Sequence, residues 1–311
     1  MGEWRASEEL LARMSERDTR RASLKELEDA WYALEDRTTR ETGDLISRWI
    51  REVTRLIGAD GVVLGLSGGV DSSLACVLLR EALPAHSLAL LMPSGNPDPK
   101  DREDALRLIS LLGVPSKEIS LDSVFSTFLA AADPGASLAE KSNVRGNILS
   151  RLRNAFLYYE ANVRNYLVFG TGDLDEAYIG YSTKGTTADI FPLSGLHKSE
   201  IRALLRISLE PYDGEFAKYL SEKPATPGYW IGQKAEDELG LSYEEIGKVL
   251  DVVISGCNIQ ETGIFPQNPQ TFQDTLRKRN IPDETVFKVC DLMMRNFHKV
   301  FHSPALWRFR A

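Results

Sequence analysis

The chain has 311 residues, 43% of them hydrophobic, and a formal net charge of -8 at pH 7. This composition is ordinary for a globular protein with a sizeable core. The negative charge argues against broad binding to nucleic acid, because such binding needs a surface that neutralises phosphates. No apolar run approaches the roughly 20 residues of a membrane span, and the charged N-terminus lacks the apolar stretch of a signal peptide. We expect a protein that binds neither nucleic acid nor a membrane.

The three cysteines, Cys76, Cys257 and Cys290, are far apart in the chain and odd in number. They match neither a metal-ligand spacing nor a disulfide framework. Unpaired cysteines are typical of a reducing compartment, so we expect a cytoplasmic location.

Residues 1–40 combine alternating charges with scattered apolar positions. This pattern predicts a helical N-terminal extension of one or two amphipathic helices, which lie on the surface or pair with another chain. Residues 41–311 are predicted to form the main domain. Its first element is a helix over 43–57, where apolar residues recur at helical spacing.

Beyond this helix, short apolar segments alternate with helical patterns. The predicted strands are 61–66, 87–92, 118–120 and 166–169, and the predicted helices are 71–83, 102–112 and 144–162. This alternation predicts an α/β fold, a doubly wound parallel sheet with flanking helices on both faces. Ligands of such sheets bind beyond the carboxyl ends of the strands. From about residue 208 the sheet pattern is gone, and we expect loops and helices.

The clearest functional signal is the segment LSGGVDSS at 66–73, between a predicted buried strand and a predicted helix. Glycines let the backbone approach a ligand closely, and amides at a helix N-terminus attract anions. The segment matches neither the kinase-type phosphate loop nor the GxGxxG fingerprint. It resembles the pyrophosphate loop of the ATP pyrophosphatase superfamily, whose members cleave ATP between the α and β phosphates. A glycine turn with a capping serine is the structural alternative.

Six later segments resemble motifs of NAD synthetases and keep the order of that family. They are GNILSRLR at 146–153, GTGDLDE at 170–176, GYSTK at 180–184, IFPLSGLHK at 190–198, WIGQKAEDELG at 230–240 and the pair His298-Lys299. The fifth is similar to archaeal-type members. The resemblance covers about 42–302 and implies an adenine nucleotide alpha hydrolase-like fold and a homodimer.

The resemblance also implies a reaction. ATP would adenylate the carboxylate of nicotinic acid adenine dinucleotide, pyrophosphate would leave, and ammonia would displace AMP to give NAD. Free ammonia or ammonia from a separate partner is the expected donor, because the residues outside the matched region are too few for a glutamine-hydrolysing domain.

Roles follow for individual residues. Asp71 and Glu176 each follow a predicted strand, so their carboxylates could share a Mg²⁺ that bridges the β and γ phosphates. Lys184 and Lys198 are candidates to neutralise charge on the α-phosphate, and with Asp71 they form the predicted catalytic set. The predicted ATP-binding residues are Leu66, Ser67, Gly68, Gly69, Val70, Ser72, Ser73, Met92, Arg153 and Thr171. The predicted substrate-binding residues are Arg151, Tyr181, Asp189, His298 and Lys299.

Two segments depart from the family pattern. After Lys184 the family usually continues YGDGG, whereas this chain has a shorter loop without that acidic residue, GTTAD at 185–189. In the family the loop lies near the reacting carboxyl group, and a threonine cannot offset the charge of an ammonium ion. The segment 209–223 also looks longer than the family norm. Two alternatives stay open: a paralogue that adenylates another carboxylate for amidation or sulfur transfer, and a non-catalytic nucleotide-binding protein.

Overall fold

A computed structural model describes residues 8–94, 98–132, 143–260 and 263–300. The central feature is a four-stranded parallel sheet in the order β3-β2-β1-β4. The strands are β1 (Gly61–Gly65), β2 (Ser87–Leu91), β3 (Ser116–Glu118) and β4 (Tyr166–Phe169). The chain builds the sheet outward from β1 to β3 and then crosses to β4 on the other side of β1. The strand order therefore reverses between β1 and β4, and such a switch point is where open α/β sheets bind ligands.

Fourteen helices are present in the described ranges. They are α1 (Glu8–Ala33), α2 (Arg40–Ile57), α3 (Val70–Ala82), α4 (Pro99–Leu112), α5 (Asp122–Ala132), α6 (Asn143–Arg164), α7 (Leu174–Ile179), α8 (Lys198–Leu209), α9 (Gly214–Glu222), α10 (Ala235–Leu239), α11 (Tyr243–Gly256), α12 (Pro269–Lys278), α13 (Asp283–Arg295) and α14 (Phe297–Val300). None of them is long and apolar enough to cross a membrane.

Helices cover both faces of the sheet, as the sequence predicts. Val62 and Leu64 of β1 pack in a core with α2, α3, α8 and α9, whereas Val63 between them packs in another core with α5 and α6. Successive residues of a strand point to opposite faces, so a fully apolar strand requires cover on both sides.

The elements largely agree with the sequence predictions. Helices α5 and α7 have no counterpart among the predicted elements, and β3 begins two residues earlier than predicted. The expectation of only loops and helices beyond residue 208 is wrong, because β5 (Cys257–Gln260) and β6 (Gly263–Pro266) form an antiparallel hairpin. Each of these strands has four residues, too few for a periodicity signal. Ile259 pairs with Ile264 in the hairpin, and both pack against the core of the C-terminal helices.

The N-terminal helix α1 packs against α2. Leu24 and Trp31 of α1 are buried in the same core as α2 and α3, and the Arg37 guanidinium lies 4.7 Å from the centre of the Trp31 ring. A Cβ atom on Gly195 would lie 2.9 Å from the Trp31 indole. The described part of the N-terminal extension therefore reaches the segment that leads into α8. The division of the chain at residue 40 stays a prediction.

Candidate active site

The glycine-rich segment lies at the carboxyl end of β1 and leads directly into α3. Gly68 has a φ of +82°, a left-handed conformation that favours glycine, and Gly69 is the N-cap of α3. The side chains of Leu66 and Val70 are buried in the core, so these two residues can meet a ligand only through their backbone. The geometry supports the predicted anion cradle, since backbone amides at a helix N-terminus attract phosphate.

Serine hydroxyls hold this loop in shape. The Oγ atoms of Ser67 and Ser72 lie 2.9 Å apart, and the Ser72 hydroxyl donates to the carbonyl of Gly69 at 3.1 Å. The Gly69 amide donates to Ser67 Oγ at 3.2 Å. Ser73 Oγ is buried and has no hydrogen-bond partner among the described residues. Ser67 is exposed, so of these three serines it is the one best placed to meet a ligand.

A buried lysine, Lys198, forms ion pairs with three carboxylates beside the glycine-rich loop. Lys198 Nζ lies 2.7 Å from Asp71 Oδ1, 2.8 Å from Asp173 Oδ2 and 3.0 Å from Glu176 Oε1. Asp71 belongs to the first turn of α3, Asp173 and Glu176 to the start of α7, and Lys198 to the start of α8. The structure thus brings together three residues that the sequence predicted, Asp71, Glu176 and Lys198.

The electrostatics of this cluster favour a charged lysine. Burial alone lowers the pKa of Lys198, but the charges of Asp173, Glu176 and Asp71 raise it well above its usual range. Burial raises the pKa of the Asp173 and Glu176 carboxyls, and Lys198 opposes this rise. Lys198 therefore remains a cation at neutral pH and cannot act as a base. Three carboxyl groups outnumber the single ammonium, so the cluster can accept a further cation.

The local backbone explains how Asp173 and Glu176 are placed. Asp173 Oδ1 accepts the amide N–H of Glu176 at 2.7 Å and so caps α7. The hydroxyl of Tyr243, the first residue of α11, donates to Glu176 Oε1 at 3.3 Å. The centre of the Tyr243 ring also lies 4.9 Å from Lys198 Nζ. A cation beside an aromatic face is a favourable contact.

Lys198 is positioned by a second buried group. Asp175 Oδ2 accepts the backbone N–H of Lys198 at 2.9 Å, and Asp175 Oδ1 lies 2.6 Å from His197 Nδ1. His197 Nε2 lies 3.2 Å from Asp251 Oδ1 on α11. Burial lowers the pKa of His197, but its hydrogen bonds with Asp175 and Asp251 raise it to about 10. A charged histidine therefore joins α7, α8 and α11 behind the cluster.

The two arginines of α6 point to different places, as expected from their spacing of two residues on a helix. Arg153 donates to the carbonyl of Met92 and to Ser94 Oγ, both at 3.2 Å. It therefore lies at the carboxyl end of β2. Arg151 donates to the carbonyl of Lys184 at 2.8 Å, so its guanidinium holds the loop that departs from the family pattern.

The loop that follows Lys184 is hydrogen-bonded to α6, and the Lys184 side chain points into solvent. Thr183 donates to Asn147 Oδ1 at 2.7 Å, and the Asn154 amide donates to the carbonyl of Thr187 at 2.7 Å. The Lys184 side chain is exposed, and no hydrogen bond or ion pair joins its ammonium to another described residue. The structure does not bring Lys184 into the Lys198 cluster.

Three of the remaining predicted residues make hydrogen bonds with residues other than those of the Lys198 cluster. Asp189 Oδ2 accepts the amide N–H of Val168 at 2.7 Å, so this carboxylate is engaged by β4. The Tyr181 hydroxyl donates to Glu238 Oε2 at 2.6 Å, and Lys299 Nζ donates to the carbonyl of Gly180 at 3.1 Å. His298 is exposed and Thr171 half-buried.

Sequence reasoning missed four residues of this site: Asp173, Asp175, His197 and Tyr243. Asp173 and Asp175 stand inside the motif GTGDLDE, and His197 directly precedes Lys198. These positions carried a signal, but their roles depend on contacts between α7, α8 and α11. Tyr243 lies in a segment that matched no motif, so nothing in the sequence singled it out.

The fold and the loop define a parallel α/β protein with the adenine nucleotide alpha hydrolase-like architecture, which confirms the predicted fold class. The sequence model of the NAD synthase family matches residues 44–303. The chain therefore belongs to the NAD synthase family, as the ordered motifs indicate.

Individual relatives agree. The chain is 35% identical over 275 residues to an NH(3)-dependent NAD(+) synthetase of Hyperthermus butylicus, covering 85% of this chain and 92% of the relative. It is 35% identical over 257 residues to the NH(3)-dependent NAD(+) synthetase of Methanocaldococcus jannaschii, covering 82% and 92%.

Two solved structures are similar over most of their length. An NMN synthetase from Francisella tularensis superposes with a TM-score of 0.68 at 30% identity, covering 84% of this chain and 95% of that one. An NH3-dependent NAD synthetase from Campylobacter jejuni superposes with a TM-score of 0.62 at 26% identity, with the same coverage.

Proposed function

We propose that this chain is an ammonia-dependent NAD synthetase. It adenylates the carboxylate of nicotinic acid adenine dinucleotide with ATP, releases pyrophosphate, and transfers ammonia to give NAD and AMP. The observation that carries this proposal is the cluster beside the glycine-rich loop in which Asp71 and Glu176 lie 2.7 and 3.0 Å from the Lys198 ammonium nitrogen. Family membership supports the same reaction.

The glycine-rich loop is the proposed site of the pyrophosphate part of ATP. Its amides and the exposed Ser67 hydroxyl stand at the N-terminus of α3, where the helix dipole favours negative charge. Arg153 and Met92, at the end of β2, and Thr171, after β4, are proposed to bind the rest of the nucleotide. All of these residues follow strands or face strand ends at the same edge of the sheet.

The carboxylates fit a magnesium ion. Asp71 and Glu176 keep about a fifth of their side chains exposed, 21% and 23%, and carboxylate oxygens suit a hard cation. Mg²⁺ usually binds through one or two carboxylates together with substrate phosphates, so these two acids are sufficient protein ligands. Such an ion would neutralise charge on the β and γ phosphates.

Lys198 supplies a fixed positive charge. Its side chain is fully buried and its ammonium is held by Asp71, Asp173 and Glu176, so its three N–H groups are engaged by protein carboxylates. Its proposed role at the α-phosphate is therefore electrostatic: it holds Asp71 and Glu176 in place and offsets part of their negative charge without reorganisation. No covalent nucleophile is required, because orientation and charge stabilisation are sufficient for attack by the substrate carboxylate. Lys184, whose side chain is exposed on the loop anchored to α6, is proposed to neutralise charge on the α-phosphate together with Lys198.

The residues proposed to bind the substrate that carries the carboxylate are Arg151, Tyr181, Asp189, His298 and Lys299. Arg151 acts indirectly, through the Lys184 carbonyl. Asp189 is engaged by the Val168 amide, so it serves better as an anchor of the loop than as a replacement for the missing acidic residue. Tyr181 and Lys299 flank the end of α7, whose first turn carries Glu176.

A second candidate keeps the chemistry and changes the acceptor. The similarity to an NMN synthetase, at a TM-score of 0.68, favours amidation of nicotinic acid mononucleotide to nicotinamide mononucleotide. The shortened loop at 185–189 lies where the substrates are expected to differ. Both candidates consume ATP and ammonia and release AMP and pyrophosphate.

A homodimer in the cytoplasm is part of the proposal. Tyr159 and Val163 of α6 are 59% and 62% exposed, and residues four apart lie on the same helix face. An exposed apolar face of this kind suits a subunit contact. Cys76, Cys257 and Cys290 are free thiols, which supports a reducing compartment.

One incubation tests both candidates. The chain is mixed with Mg-ATP and ammonium, and with either the dinucleotide or the mononucleotide acid, and AMP, pyrophosphate and amide product are measured. We expect equal amounts of AMP, pyrophosphate and NAD from the dinucleotide. Faster amidation of the mononucleotide would select the second candidate. Absence of pyrophosphate with both acids would refute both candidates.

A further inference from the structure

Lys223 makes an unusual set of contacts under the glycine-rich loop. It follows α9, at the end of the segment 209–223 that looks long for the family. Its Nζ lies 2.6 Å from Asp101 Oδ1 and 2.7 Å from Asp104 Oδ2, and it donates to the carbonyl of Gly68 at 3.0 Å. An ammonium group has three N–H donors, and three acceptors surround this one.

The loop backbone rests directly on the start of α4. A Cβ atom on Gly68 would overlap the carbonyl oxygen of Asp101, so only glycine fits where the two backbones meet. Lys223 joins the Gly68 carbonyl to two side chains of α4. The position of the Gly68 peptide is therefore set by α4 and by Lys223 together.

Charge explains why this contact matters for an anion site. Asp104 is buried and Asp101 largely so, with 3% and 19% of their side chains exposed. Burial lowers the pKa of Lys223, but its hydrogen bonds with Asp101 and Asp104 raise it above the usual value. The lysine stays charged and offsets carboxylates that would otherwise repel phosphate beside the loop.

We propose that Lys223 is a positioning residue of the pyrophosphate loop. It holds the Gly68 carbonyl toward α4, so that the loop presents its amides to the phosphates of ATP, and it offsets part of the negative charge of Asp101 and Asp104. This inference rests on the proposed function of the loop as the ATP site. Lys223 is not assigned to bind ATP itself, because its three N–H groups are already used.

The chain offers a matched control on the same two helices. Arg107 of α4 pairs with Asp213 at the start of α9 at 2.6 Å, and its guanidinium lies 4.1 Å from the centre of the Phe216 ring. This pair joins α4 to α9 as Lys223 does, but its contacts do not include the loop. If Lys223 only joins the two helices, neither substitution should selectively raise the KM for ATP.

The test compares Lys223→Met with Arg107→Met by steady-state kinetics. We expect Lys223→Met to raise the KM for ATP about tenfold or more, with the KM for the dinucleotide unchanged within about twofold. Arg107→Met should leave both values within about twofold, and Lys223→Arg should recover part of the loss because it keeps the charge. An unchanged KM for ATP in Lys223→Met would overturn the proposal, as would an equal rise in Arg107→Met.

Two further measurements keep the test decisive. If Lys223→Met does not fold because the buried Asp104 has lost its closest cation, the double variant Lys223→Met/Asp104→Asn removes that carboxylate and is compared with Asp104→Asn.

Binding of a non-hydrolysable ATP analogue separates the positioning role of Lys223 from the proposed reaction. Wild-type protein that binds the analogue but releases no pyrophosphate from ATP refutes the proposed reaction, and a Kd for the analogue about tenfold weaker in the variant then still supports positioning. Equal binding refutes it.

Discussion

At the scale of single residues, the site is built on one ammonium group shared by three carboxylates. Asp71, Asp173 and Glu176 all lie within 3.0 Å of Lys198 Nζ. A buried ion pair loses much of its Coulomb energy to desolvation, so this arrangement is poorly explained as a device for stability alone. Its charge and its place beside the loop suit it to phosphate chemistry.

The first prediction concerns Asp71. We expect Asp71→Ala to reduce pyrophosphate release at least about 100-fold, because a proposed magnesium ligand beside the phosphates is lost. The fold should persist, since Glu176 and Asp173 still hold Lys198. The measurement is pyrophosphate release together with a thermal melt. Asp283→Ala, which removes a first-turn acid from α13, is the control and should retain activity. Near-normal turnover of Asp71→Ala would remove Asp71 from the proposed mechanism.

The second prediction concerns pH. The pKa of His197 is about 10 in the folded chain and has a reference value of 6.5. A raised folded pKa means that the histidine contributes its stabilisation in full below about pH 6.5 and loses it as the pH rises toward 10. Between these two pH values the free energy of unfolding of the wild-type protein should therefore fall by on the order of a few kcal/mol more than that of His197→Gln. Urea unfolding at several pH values measures this difference, and parallel curves for the two proteins would contradict the buried charge.

At the scale of elements, the N-terminal helix α1 is part of the main core. Trp31 is buried against the same cluster as α2 and α3 and adjoins Gly195. Gly195 is three residues before Lys198. The extension therefore supports the backbone that carries the central lysine, although it matched no family motif.

The third prediction tests this support. We expect Trp31→Ala to lower the free energy of unfolding by about 3–5 kcal/mol, the usual loss for a large buried aromatic side chain. Chemical denaturation measures the change. Tyr32→Ala, at a neighbouring position that is 51% exposed, should cost much less. Similar losses in both variants would show that α1 is not anchored through Trp31.

Helices and strands also differ in how well the sequence predicts them. β1 and α3 were predictable because a buried parallel strand is apolar throughout and a glycine-rich turn ends it. The predicted start of α2 was three residues late, because Arg40 and Glu41 carry no apolar signal. The hairpin β5-β6 was missed because each of its strands has only four residues, too few to show an alternating pattern.

At the scale of the whole molecule, the proposed dimer depends on one exposed face of α6. Tyr159 and Val163 stand on that face, and the buried residue Ala161 lies between them in sequence. A helix turns by about 100° per residue, so Ala161 points nearly opposite to both. The helix therefore packs on the core with one side and leaves an apolar side exposed, which is the surface proposed to contact a second copy of the chain.

The fourth prediction follows. We expect wild-type protein to sediment as a dimer and Tyr159→Glu to sediment as a monomer at the same concentration, because a charge placed in an apolar interface is costly to bury. The matched control is Tyr212→Glu, which changes another half-exposed tyrosine, 45% exposed, between α8 and α9. This control should remain a dimer. A monomeric wild type would contradict the homodimer, and a dimeric Tyr159→Glu would place the interface elsewhere.

The sequence by itself determined the chemistry of the loop and the alternation of strands and helices along the chain. Both follow from short-range patterns: apolar runs, helical spacing, and glycines at 68 and 69 between a strand and a helix. It also singled out Asp71, Glu176 and Lys198 through ordered motifs. These residues are far apart in the chain, and no local pattern states that they touch.

Only the tertiary structure decided which of these side chains meet. The packing of α7 and α8 against the start of α3 places Lys198 between Asp71 and Glu176 and adds Asp173. The same packing leaves Lys184 outside and engages Asp189 with β4. The physical reason is that side-chain contacts of this kind depend on how elements distant in sequence pack together, and that packing is set by the whole core rather than by any one segment.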